Sequence, residues 1–171
     1  MAKRLSLREF QEDLVRRFAE ARSGDRHALL GVRAGTENWL ITLTDTGEIL
    51  PVPPLAPVPL ACEWFRGLVN VRGTLFSVVD FSAFHDGAPI APGGATRLLL
   101  VGMRHGVNCA LLVSRAIGLR SPDDFQPDQS GGDDARPWVQ GRLRDARERL
   151  WLKLDVPQLL AHRGFLNAGI D

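Results

Sequence analysis

A chain of 171 residues, 44% of them hydrophobic, has the material for one domain or for two small ones that share a core. Its 21 basic and 20 acidic residues leave a net charge of +1, so it lacks the large single-sign field that would gather nucleic acid or an anionic membrane. No apolar run approaches the ~18 residues of a membrane span, the N-terminus has no signal-peptide core, and the two cysteines, Cys62 and Cys109, stand apart from each other and from any histidine. These features predict a cytoplasmic protein without direct membrane insertion, with its thiols as small buried hydrophobes and with neither metal nor cofactor.

Ser6-Leu7-Arg8-Glu9 has the form of a capping box and predicts a helix that begins there. Leu7, Phe10, Leu14, Phe18 and Ala21 recur at steps of three and four, so residues 1–24 read as an amphipathic helix with one apolar stripe. An isolated helix of this length is marginal in water, and its stripe must find a surface, either on the chain's own core or on a partner.

From residue 25 to residue 163 the pattern changes to strands. Ala28–Val32 and Trp39–Leu43 are apolar runs joined by a glycine-containing turn, and Glu48-Ile49-Leu50 continues as a short strand. Residues 51–59 carry five prolines, which predicts an extended surface strap. Leu68, Val69 and Val71 then face Leu75, Phe76, Val78 and Val79 across Asn70–Gly73, which reads as a tight hairpin. Gly73 supplies positive φ without steric cost, and Arg72 beside it projects a planar, permanently charged donor fork suited to a carboxylate or carbonyl on a partner.

Residues 86–96, rich in Gly, Pro and Ala, form a loop, after which the pattern repeats. Leu98–Val113 matches Leu29–Thr42 as strand, glycine turn, strand; Trp138-Val139-Gln140-Gly141 repeats Trp64-Phe65-Arg66-Gly67; Leu154-Asp155 repeats Val79-Asp80. In the second copy the tip is read as Arg142–Arg147, so the two tips have diverged. Residues 121–137 are polar and acidic and predict an exposed, partly mobile loop. Asp155 is placed to cap a short terminal helix through Pro157, Leu159 and Leu160, with residues 164–171 as a loosely held tail.

Catalytic constellations are hard to assemble from these residues. His27, His85, His105 and His162 are scattered, and no phosphate loop, dinucleotide fingerprint or nucleophile elbow occurs. Asp80 and Asp155 read as turn or cap acids, and only if they faced each other would a hydrolase follow. Arg142, Arg144, Arg147 and Arg149 form the densest basic cluster, but Asp145 and Glu148 dilute it and no aromatic residues interleave with it, which argues against nucleic acid. A small-ligand-binding β-barrel regulator remains a second reading, and a cavity between the barrels would be its mark.

Gly67-Leu68-Val69-Asn70-Val71-Arg72-Gly73 followed by Ser77-Val78-Val79-Asp80 resembles the signature of CheW-like domains, the adaptor modules of bacterial chemosensory arrays. Their usual form is Gly-Val-Ile-Asn-Leu-Arg-Gly and then Pro-Val-Ile-Asp. The resemblance extends from about His27 to about Leu160, and with the helix in front it is nearest to adaptors of systems that control type IV pili and twitching motility. It implies a mainly β fold of two packed five-stranded SH3-like β-barrel subdomains. It also implies a noncatalytic role coupling the cytoplasmic tip of a methyl-accepting chemoreceptor to the regulatory domain of a CheA-type histidine kinase. Gly67, Asn70, Arg72 and Gly73 hold the motif positions and are the partner-binding candidates. Thr46 stands where the family usually has an apolar residue, so the lining of the receptor groove is not carried over.

Overall fold

The computed structural model describes residues 27–170, so the N-terminal helix expected over residues 1–24 lies outside the described residues. Among the described residues eleven strands form two sheets. The first six are β1 (Leu29–Ala34), β2 (Glu37–Thr42), β3 (Thr46–Pro51), β4 (Phe65–Val71), β5 (Thr74–Asp80) and β6 (Arg97–Val101). The remainder are β7 (Cys109–Val113), β8 (Arg115–Arg120), β9 (Phe125–Pro127), β10 (Val139–Asp145) and β11 (Leu150–Leu154). Two short helices follow, α1 (Val156–Ala161) and α2 (Arg163–Leu166). One sheet has five strands in the order β3-β6-β7-β5-β4; the other has six, β8-β1-β2-β11-β10-β9, because β9 adds to the five expected.

The buried strands are apolar almost without interruption because both their faces are covered. In β7, Cys109, Leu111 and Val113 point into the core between the sheets, while Ala110 and Leu112 point into the interior of the five-stranded sheet. β2 does the same with Trp39 and Ile41 on one face and Leu40 on the other. Period-2 alternation thus distributes one run of residues between two cores, giving a large central core flanked by one smaller core inside each sheet. At the central core, Trp64, Phe84 and Phe165 pack together, His85 stacks on Trp39 at 4.9 Å between ring centroids, and Trp138 donates its indole N–H to His85 Nε2 at 2.9 Å.

The duplication is real in its details. Asp80 N–H donates to the Trp64 carbonyl at 2.7 Å, and Asp155 N–H donates to the Trp138 carbonyl at 2.8 Å. Strand register slips at Phe65/Gly67 in one copy and at Val139/Gly141 in the other. The copies nevertheless exchange strands. β5 runs parallel to β7 of the second copy, β11 runs parallel to β2 of the first, β3 crosses to pair with β6, and β8 returns to pair with β1. Each sheet therefore contains strands of both copies.

Three local expectations need correction. The second hairpin continues as strand through Arg142, Leu143 and Arg144 to Asp145, so its tip lies at residues 146–149 and not at Arg142–Arg147. The loop after Ser121 is largely exposed, as expected, but it holds β9, with Phe125 buried, and is tied down by Arg142 and Arg144 on Asp128 and by Arg136 between Glu37 and Asp134. Hydrogen bonds from Ser130 and Arg144 hold the Asp128 carboxyl well below the usual carboxylate range. The C-terminal tail, expected to be loosely held, is bonded to the end of the strap: Cys62 N–H to the Ala168 carbonyl at 2.7 Å and Ile170 N–H to that of Leu60 at 2.8 Å. Cys62 is accordingly half-buried, whereas Cys109 is fully buried and burial pushes its thiol up to about 12.

Candidate functional site

The hairpin of β4 and β5 turns through two residues, Arg72 and Gly73, with φ of 49° and 84°. Positive φ at both central positions is the type I′ geometry whose twist matches that of the flanking strands. Asn70 fixes the turn by accepting the Gly73 N–H on its Oδ1 at 2.9 Å. Asn70 and Gly73 thus shape the tip, and Arg72 is the side chain that it presents, 77% exposed.

Arg72 has a partner within the chain that the sequence reading did not name. Its guanidinium grips Glu48 of β3 with both terminal nitrogens, at 2.7 and 2.8 Å. β3 and β4 are the two edges of the five-stranded sheet, so this pair bridges the seam where the sheet curls on itself. A planar fork suits such a bidentate grip, and among the described residues only two of its five N–H donors are used. Ile49 and Leu75 stand exposed on the same two elements, β3 and the β4–β5 hairpin. The nearby Thr46 hydroxyl donates to the Leu43 carbonyl at 2.8 Å, closing the 3-10 turn that leads into β3.

Gly67 sits at the base of the hairpin with φ of 122°, and a Cβ there would lie 2.2 Å from the Ala56 carbonyl oxygen. The contact comes from the proline strap, which forms a bridge to β4 through Ala56 and Leu68 with two N–H···O=C bonds of 2.8 Å. Gly67 therefore admits the strap, a backbone approach made within the chain. The other end of the hairpin is pinned by Asp80, which is wholly buried. Its carboxylate accepts the N–H groups of Ser82, Ala83 and Ile90 and an Arg66 guanidinium N–H at 2.9 Å.

Asp80 is committed to backbone amides and Arg66, and Asp155 caps α1 by accepting the Gln158 N–H, so the two acids act in separate structural roles. Among the described residues no group of three or more His, Cys, Asp and Glu could hold a metal ion, and no helix is long and apolar enough to cross a membrane. The junction between the sheets is packed by the aromatic cluster described above.

The family model for the CheW-like domain matches residues 28–164, nearly the whole described chain. The chain belongs to the CheW-like family. Among similar CheW-like proteins, the protein PilI of Pseudomonas aeruginosa is 28% identical over 144 residues, covering 82% of this chain and 79% of that one. The chemotaxis protein CheW of Rhizobium meliloti is 29% identical over 91 residues, about half of each chain at 53%. The crystal structure of the scaffolding protein TtCheW from Thermoanaerobacter tengcongensis superposes with a TM-score of 0.67 at 15% identity, covering 81% of this chain and 95% of that one, a likeness of fold. The two-sheet architecture is thus a CheW-like fold.

Proposed function

We propose that this CheW-like chain is a noncatalytic adaptor that couples the cytoplasmic tip of a chemoreceptor to the regulatory domain of a CheA-type histidine kinase. Its setting is the cytoplasm, where it meets the membrane only through receptor arrays. The similarity to PilI favours a system that controls type IV pili and twitching motility. The observation that carries the reading is the family match over residues 28–164 together with a rigid tip that presents Arg72. A fork already oriented by Glu48, with donors to spare, offers a directional contact at low entropic cost. Asn70 and Gly73 aim it, and Gly67 supports it from behind through the strap.

The test is a titration of the full chain, wild type and Arg72→Glu, against the kinase regulatory domain and separately against a receptor-tip fragment. Wild type binds both saturably, and the partner whose affinity falls with Arg72→Glu is the one that Arg72 faces. Binding to neither by the wild type overturns the bridging role.

A further inference from the structure

The small core inside the six-stranded sheet, made of Leu29, Leu40, Phe125 and Trp151, borders a hollow of about 430 Å³. Leu29, Phe125, Pro127 and Leu143 give it apolar walls, and Thr42 and Lys153 add polar groups. Strand register puts all of these on one face of the sheet. Leu29 pairs with Thr42, Lys153 with Leu40, and Leu143 with both Trp151 and Pro127, and residues directly opposite each other share a face. That face is the one that carries the small core, so the hollow is its mouth. Barrel mouths are a common place for small ligands, and the volume falls at the lower end of the range for such sites.

Lys153 is the unexpected residue there. It is one of only two lysines in a chain whose other basic residues are arginines, and it is half-buried. An inward-facing charge can guard the edge of a sheet, but β11 lies in the middle of its sheet, between β2 and β10. Its neighbours across the ladder are Leu40 and Gly141, neither of which offers a side-chain acceptor, and a Cβ at Gly141 would meet nothing within 4 Å. Among the described residues no carboxylate forms an ion pair with Lys153. No Asp or Glu lines the hollow either, whereas the arginines around the larger hollow at the β10–β11 tip face Asp123, Asp124, Asp145 and Glu148. A compact ammonium beside apolar walls is the recognition chemistry for a carboxylate carried on an apolar tail. We propose that this hollow binds a medium-chain aliphatic carboxylate, with its head on Lys153 Nζ and the Thr42 hydroxyl and its tail along Leu29, Leu143 and Phe125. The inference is independent of which partners the hairpin tip contacts.

The experiment is an NMR titration of the full chain, wild type and Lys153→Gln, with octanoate as the probe and with acetate and octylamine as controls. Octanoate should saturate with a Kd of about 1 mM or below, as suits its roughly ten non-hydrogen atoms. It should shift amides of β9 and β11, and its terminal methyl should show NOEs to Phe125 and Leu143. Lys153→Gln should weaken octanoate about ten-fold or more, and on the wild type acetate and octylamine should fall short by at least as much. Unshifted amides of β6 and β7, in the other sheet, report that the variant keeps its fold; if it does not fold, the comparison of octanoate with octylamine on the wild type decides. Equal binding of octanoate and octylamine, or of octanoate to both chains, means an apolar hollow without charge recognition. Shifts centred on the exposed Leu60, Leu75 and Leu166 mean adsorption to the surface. No saturable change up to about 10 mM means that the lysine only carries its charge out to water. Each of these three overturns the inference.

Discussion

Arg72 grips Glu48 and is also proposed to meet a partner, and a charge swap separates the two roles. With side chains 77% and 39% exposed, the pair is screened by water, and despite its bidentate geometry its coupling should be about 0.5–1 kcal/mol. A double-mutant cycle of Arg72→Ala and Glu48→Ala, read by urea denaturation, measures it, and added salt should shrink it. The strain of holding an L side chain at φ of 49° is common to every variant and cancels in the cycle. The swap Arg72→Glu/Glu48→Arg restores the bridge while turning a carboxylate outward at the tip. If Arg72 contacts the partner, the swap recovers stability to within about 0.5 kcal/mol yet binding stays weaker by about 2 kcal/mol, roughly 30-fold in Kd. Wild-type affinity in the swapped chain would refute this reasoning, since Arg72 would then act only by closing the seam between β3 and β4.

Asp80→Ala orphans three backbone amides and Arg66, so unfolding in urea should come easier by about 3–5 kcal/mol, with Asp80→Asn milder because one oxygen remains; a loss below about 1 kcal/mol would contradict the hub. Gly67→Ala drives a Cβ into the Ala56 carbonyl and should destabilise by more than about 1 kcal/mol, whereas Gly141→Ala at the matching position of the second copy, with open space around it, should stay within about 0.5 kcal/mol. Burial, with the Arg136 charge nearby, lowers the His85 pKa to about 4, below its ordinary 6.5, and Trp138, a donor only, needs an unprotonated Nε2. The unfolded chain then binds the extra proton first, so stability is complete well above pH 6.5 and declines as pH falls from 6.5 towards 4, by about 3 kcal/mol; His85→Phe should flatten that part of the pH profile.

The strands were legible because two-faced burial leaves long apolar runs, and the hairpin was legible because Asn70 and Gly73 are turn residues with a mechanical reason to be there. The Trp–Asp repeat also survived into the structure, since each pair closes the same backbone hydrogen bond. What sequence could not carry was pairing at a distance. Nothing in a tandem repeat announces that β3 crosses to β6 while β8 returns to β1, or that Glu48, 24 residues before Arg72, is its partner. Polar composition made the segment after Ser121 look loose, although Asp128 gathers two arginines from β10 and so lets that strand run on to Asp145. Gly67 was read as a partner-binding candidate, and the backbone that approaches it is the chain's own strap.

The divergence of the two tips follows from how each spends its donors. At the second hairpin Asp145 accepts the Arg147 and Arg149 amides, the Arg149 guanidinium and the Trp151 indole. Arg144 is likewise consumed by Asp128, Ser130 and the Glu148 carbonyl. Arg144 and Arg149 are thus committed within their own loop, whereas Arg147 contributes only its backbone N–H and is exposed. At the first hairpin the turn is held instead by a neutral amide, Asn70, and by the conformational freedom of Gly73, which leaves the charged fork of Arg72 anchored at one edge and open at the other. The first tip carries its exposed charge on a turn held by neutral groups, whereas Arg144 and Arg149 of the second are committed within their own loop, and that is why the proposed contact is assigned to Arg72 rather than to the denser arginine cluster of the second copy.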